Sequence, residues 1–312
     1  MGNFTLSEFW KNFQLGTELR ISGNFIYNGI FFFDTMQHFC YEDEIFEVLY
    51  NISVGVERLQ KVTIILLEHN DKIDQSEFEK NLITHSHIEL YDRIKKHRKQ
   101  NFGKQHVEFL SMLSNFYKST RYEKYNLNSV YKFIEGRSEF INYIEKYLNL
   151  KISVEFFGCT PNSNNIKKFF GNIIGKICSN YFDIINDECH RLNIYTDDLP
   201  SDSKASKIFW GKSFNFFEER QVQKEIIKYL IQSDLPSGIS NFLKEEPPLN
   251  LEFHDTNYYI NYLIDFHKSG GVIEEVEELY TEIGNISDRT KHLEIVGDSD
   301  ISLEFDDDEN DE

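Results

Sequence analysis

The residues best equipped for chemistry lie in one segment, RIKKHRKQNFGKQH at 93–106. It holds Arg93, Lys95, Lys96, Arg98, Lys99 and Lys104 with His97 and His106, the one dense positive cluster of the chain. An imidazole exchanges protons near neutral pH. A guanidinium holds phosphoryl oxygens through paired hydrogen bonds and stabilises charge as it develops. Together they supply what RNA cleavage without a metal needs, a base for the 2′-OH and a cation for the phosphorane. The same composition also suits a solvated helix end, where cations meet the negative pole of the helix dipole. Both readings stay open at this point.

Arg121 lies in FYKSTRYEKYNL, with Tyr125 four residues on and so on the same helical face. The pair suits stacking and phosphate contact with single-stranded RNA, or an arginine stacked on tyrosine at a packing edge. Arg93, His97 and Arg121 are therefore the candidate catalytic residues. Lys95, Lys96, Arg98, Lys99 and Tyr125 are the candidate RNA contacts. His85 and His87 in THSHIELYDRI are two apart and do not share a helical face, so no metal is expected there. A polar cap on a bundle, with Glu89 or Arg93 as partner of His87, is the expected role. No cofactor is expected either. WGKSF at 210–214 has Lys207 where a phosphate loop needs glycine, and GxGxxG, HExxH, CxxC and GxSxG are absent. Glu274, Glu275, Glu277 and Glu278 read as a solvated helix face.

Long helices must position these residues. All five prolines fall at 161 or later, which favours uninterrupted helices before that point. Ile45, Leu49, Ile52, Val56, Leu59, Val62 and Leu66 step by three and four along one helix. Phe109–Tyr117 repeats the pattern, as does Val130–Leu148 behind a cap at Ser129. Residues 21–40 are aromatic enough to predict a buried helix. Leu150–Phe157 reads as a short strand and Gly158–Asn165 as a loop. Ile166–Ile185 is a clean amphipathic stripe in which Gly171 and Gly175 predict a close backbone approach by a neighbouring helix. Further helices are predicted at 203–217, 219–233, 256–268 and 272–283.

The 312 residues carry a net charge of −19, nearly all of it in the second half. That opposes broad nucleic-acid binding but not a local basic site in the first half. From Glu294 to Glu312 there are ten acidic residues and no basic one, which predicts a disordered tail. No apolar run approaches the roughly 18 residues of a membrane span. Four scattered cysteines, Cys40, Cys159, Cys178 and Cys189, predict reduced thiols and a cytoplasmic setting. The expected architecture is all-α, with a helical bundle at 1–150, an acidic helical domain at 151–290 and an acidic disordered tail at 291–312.

The segments at Val54–Asn70 (VGVERLQKVTIILLEHN) and Thr84–Ile94 (THSHIELYDRI) resemble a helix pair of the HEPN superfamily. That resemblance covers about 45–125. It implies an HEPN-like bundle, dimerisation across it, and a role in bacterial abortive infection or toxin–antitoxin systems as a metal-independent ribonuclease. The family's motif is Arg, four to six residues, then His. Arg93 to His97 is one residue short of it, Arg98 to His106 is one too long, and Arg121 is followed by Tyr125 rather than His. The expected activity is RNA cleavage at Arg93, His97 and Arg121. The alternative is a non-catalytic scaffold or regulatory subunit that binds a protein partner through the acidic second domain.

Overall fold

The computed structural model describes residues 5–120, 135–155, 157–232, 247–252, 254–264, 270–283, 286–294 and 296. Arg121, Tyr125 and Ser129, and the tail from 297 onward, lie outside these. The fold is all-α. Among the described residues there is no strand, only an isolated bridge between His38 and Pro161. None of the described helices is long and apolar enough to cross a membrane. The chain forms two compact units, 1–216 and 217–312. The first carries 26 Lys+Arg against 27 Asp+Glu, a net of −1, and the second 7 against 25, a net of −18. The excess negative charge thus sits outside the unit that holds the basic segment.

In the first unit, α1 (Leu6–Phe9), a π-helical turn (Trp10–Gln14) and α2 (Leu15–Thr35) run on continuously. α3 (Glu42–Glu68) is the central element, packed by α2 and by four later helices. Glu42, Asp43 and Glu44 favour its start by meeting the positive pole of the helix dipole. Around it lie α4 (Gln75–Lys80), α5 (His87–Lys95), α6 (Lys104–Asn115) and a second π turn (Phe116–Thr120). α7 (Glu135–Leu148), α8 (Asn164–Leu192) and α9 (Lys204–Phe209) complete the unit.

The boundary expected at 150 falls at 216, and the cause is aromatic packing. Phe170 on α8 stacks on Phe33 of α2, ring centroids 4.1 Å apart, and meets Phe140 of α7 at 5.7 Å and Phe109 of α6 at 6.0 Å. The amphipathic stripe of α8 therefore buries itself in the N-terminal bundle rather than in a domain of its own. Gly171 and Gly175 admit close contact, as expected, but from an extended segment rather than a helix. A Cβ at Gly171 would lie 2.3 Å from the carbonyl oxygen of Phe214.

Residues 150–155 form no strand. Ile152 N–H donates to the Glu145 carboxylate and Ser153 N–H to Thr160 Oγ1. This loop also corrects the expectation for the cysteines. Cys40 and Cys159 form a disulfide, with Cα atoms 5.9 Å apart and a sequence separation of 119. Cys178 and Cys189 are free and buried, and burial pushes both thiols up, Cys189 to about 12. Closing so long a loop restricts the unfolded chain. Denaturant unfolding with and without reductant is expected to differ by about 2–5 kcal/mol.

In the second unit, α10 (Phe217–Gln232), α11 (Thr256–Ile264), α12 (Gly270–Glu282) and α13 (Ile286–Leu293) are described. Val222, Ile226, Tyr229 and Leu230 follow helical spacing along α10 and are all exposed. Glu274, Glu277 and Glu278 are solvated as expected, but Glu275 is buried. It accepts a hydrogen bond from Tyr259 Oη at 2.7 Å, which satisfies a carboxylate taken out of water.

Candidate functional site

The basic segment forms the C-terminal end of α5 and the turn after it. Arg93 and His97 come together there, but on a carboxylate of the chain itself. Arg93 Nε lies 2.9 Å and Nη2 2.6 Å from the two oxygens of Glu68, and Nη1 donates to the Asn81 carbonyl at 2.8 Å. His97 Nε2 lies 3.1 Å from the same Glu68. These groups line an open cleft of about 710 Å³ together with Leu67 and Lys96. The Arg93 fork is thus occupied at rest. Arg98 pairs with Glu188, a buried carboxylate on α8 that also holds Arg191 at 2.6 Å. Arg98 therefore pins the turn to α8 rather than facing a ligand. His106 accepts from Gly103 N–H at 3.1 Å and burial lowers its pKa, so it caps α6. Lys95 lies 5.5 Å over the Tyr91 ring. Lys95, Lys96 and Lys99 are exposed, and among the described residues none of them has a carboxylate partner.

The stronger geometry lies at the other end of the same helix pair. Glu57 on α3 is buried among apolar neighbours, its side chain only 9 % exposed. Lys61, one turn on, donates to Oε1 at 2.7 Å. His85 Nδ1 lies 3.0 Å from Oε2, while the His85 ring is 56 % exposed. The loop that carries His85 is fixed by the cap of α5. Thr84 Oγ1 donates to Glu89 at 2.8 Å and accepts from Ser86 N–H, and Ser86 Oγ accepts from Glu89 N–H. A carboxylate that accepts from Nδ1 fixes the tautomer and turns Nε2 outward as a proton acceptor. The Tyr117 ring stands 5.0 Å from the imidazole.

These groups open into a cavity of about 350 Å³, the size of a small-ligand site. Arg58, Lys61, Glu18 and Glu57 are its charged walls, with Arg58 paired to Glu18. The two cations and two carboxylates balance. Each π turn supplies one aromatic wall, Trp10 from the first and Tyr117 from the second. Single π turns inside α-helices often mark functional sites. In the sequence His85 reads only as half of a poor metal pair with His87, and Glu57 does not stand out. The available signal is a single acidic residue in the middle of a long, mostly apolar helical stripe.

His87 is not the surface cap that was expected. It is fully buried, and its ring bonds to Ser53 rather than to Glu89 or Arg93. Its Nε2 donates to the Ser53 carbonyl at 2.9 Å, and the Gln60 amide donates both to the His87 carbonyl and to Tyr181 Oη on α8 at 2.9 Å. These bonds tie α3, α5 and α8 together. Burial lowers the His87 pKa to about 4. A free histidine takes its proton near pH 6.5. Between pH 6.5 and 4 the unfolded chain therefore binds a proton that the folded chain refuses. Stability is expected to fall as pH drops through that window, by about 3 kcal/mol in all. Urea unfolding at pH 7 and pH 4.5 measures it, and in His87→Gln the difference between the two should shrink.

Among the described residues no three His, Cys, Asp or Glu side chains converge as a metal site. Comparison with known proteins gives no match, whether to a family model, a curated protein or a solved structure.

Proposed function

We propose that the first unit is an RNA-directed effector that cleaves phosphodiester bonds without a metal, with His85 as its general base. The observation that carries this reading is the half-exposed imidazole held at Nδ1 by a buried carboxylate with a lysine one helical turn away. In the proposed step His85 Nε2 takes the 2′-OH proton and O2′ bonds to phosphorus. The 5′-oxygen leaves and takes a proton from water. The hydroxide so formed recovers the proton from the imidazolium. Lys61 holds the Glu57 carboxylate that orients the imidazole, so it acts through His85 rather than on the phosphate. This keeps the expected activity and moves its centre from Arg93 and His97, which Glu68 occupies, to His85. The HEPN-like character of the helix pair and a role in antiviral defence belong to the same proposal.

RNA and DNA of one sequence, incubated with the purified chain in excess chelator, test it. RNA should be cut and DNA, which lacks the attacking hydroxyl, left whole. Intact RNA, or equal cutting of both, contradicts the reading.

The exposed apolar face of α10 favours a second reading, a scaffold or regulatory subunit that holds a protein partner through the acidic unit. Its net charge of −18 selects a basic partner. This reading predicts a stable complex that is lost in Val222→Glu/Ile226→Glu, and a chain that stays monomeric and partnerless contradicts it.

A further inference from the structure

We infer that the cavity beside His85 is a guanine pocket, in which Glu18 and Arg58 read the base of the nucleotide whose 2′-OH His85 deprotonates. The inference rests on the cleavage reading and names the base at which it acts. Three observations lead to it.

The first is a half-made ion pair. Glu18 on α2 and Arg58 on α3 both line the cavity, with side chains 42 % and 37 % exposed. Only Nη1 of Arg58 donates, and only Oε2 of Glu18 accepts. Nε and Nη2 of Arg58 and Oε1 of Glu18 have no partner among the described residues. Arg93 is the contrast, with Nε, Nη1 and Nη2 all engaged. A pair so open to solvent is held weakly, so a ligand that bonds to both partners can share or part it.

The second is what the pair requires of a ligand. A carboxylate only accepts, through two oxygens, and a guanidinium only donates, through a planar fork. A base that fills both needs two adjacent donor groups and two adjacent acceptors. Guanine has them, N1–H and the N2 amine for Glu18, and O6 and N7 for Arg58. Adenine, cytosine and uracil each carry a single donor group.

The third is placement. Trp10 and Leu15 give the cavity apolar wall for a ring. Contact of that kind serves every base alike, so selection falls to the charged pair. Arg58 directly follows Glu57, the carboxylate that holds His85, and consecutive Cα atoms are about 3.8 Å apart. In a nucleotide a single ribose joins the base to the 2′-OH, which suits groups so close in one cavity.

Titration of the full chain in chelator with 3′-GMP, 3′-AMP, 3′-CMP and 3′-UMP, read by calorimetry, tests this. 3′-GMP should bind tighter than the other three by about tenfold or more, the effect of one two-bond contact to a base. 3′-IMP, which lacks the N2 amine, and 7-deaza-3′-GMP, which lacks N7, should each lose about tenfold. In Glu18→Ala, 3′-GMP and 3′-IMP should bind alike. In Arg58→Ala, 3′-GMP and its 7-deaza analogue should. A merely structural ion pair would produce neither result. No binding of 3′-GMP, equal binding of the four nucleotides, or 3′-IMP bound as tightly as 3′-GMP overturns the pocket. RNA cutting is measured on the same preparations and should follow guanosine. Cutting after every base alike, with equal nucleotide binding, removes the pocket and leaves the cleavage reading. Selective binding of 3′-GMP by a chain that leaves RNA intact removes the cleavage reading and keeps the pocket as a nucleotide site.

Discussion

His85→Ala is expected to lower RNA cleavage by about 10²–10⁴-fold, the usual contribution of a positioned general base. The thermal unfolding of that variant should stay close to wild type, because the ring is half exposed and Lys61 still pairs with Glu57. Glu57→Gln should lose most of the same rate, since an amide no longer fixes the imidazole tautomer by charge. His97→Ala should cost far less, because Glu68 takes Nε2 of His97, the nitrogen that stays outward on His85. Rates measured in chelator, beside melting curves of the same preparations, separate loss of chemistry from loss of fold. Equal damage from His85→Ala and His97→Ala would contradict the assignment of His85 as the base.

Phe170→Ala should have the largest effect on stability. Phe170 is 1 % exposed and touches rings from α2, α6 and α7. Removing so large a buried ring costs about 3–5 kcal/mol, a large share of the roughly 5–15 kcal/mol of an ordinary domain. The transition of the whole first unit should shift, including signals from helices before residue 150. For the same reason a chain cut at 150 should fail to fold while one cut at 216 folds. Urea unfolding followed by circular dichroism reads both. A folded, cooperative fragment ending at 150 would contradict the single-unit architecture.

Periodicity made the helices legible, because a helix writes its buried face into the spacing of its own residues. α3, predicted from Ile45 to Leu66, spans Glu42–Glu68, and the stripe from Ile166 to Ile185 is the core of α8. What spacing does not carry is the partner across the core. Phe170 reads in sequence as one more apolar residue of a later domain, and only the rings around it show that it closes the first bundle. Cys40 and Cys159 are 119 residues apart, so no local pattern joins them. The site was hidden in the same way. Helical pairing rules reach four residues, whereas His85 and Glu57 are 28 apart and meet through a loop. Arg93 and His97 were visible because they crowd one segment, and the carboxylate that occupies them, Glu68, lies 25 residues back on another helix.

The chemical nature of the cut ends tests the central claim most directly. Attack by the 2′-hydroxyl with His85 as base leaves a 2′,3′-cyclic phosphate on one fragment and a 5′-hydroxyl on the other. Mass spectrometry of a defined RNA after incubation in chelator should find that pair of ends with the wild-type chain and not with His85→Ala. Fragments ending in 3′-hydroxyl and 5′-phosphate, or cyclic ends formed equally well by His85→Ala, would contradict it.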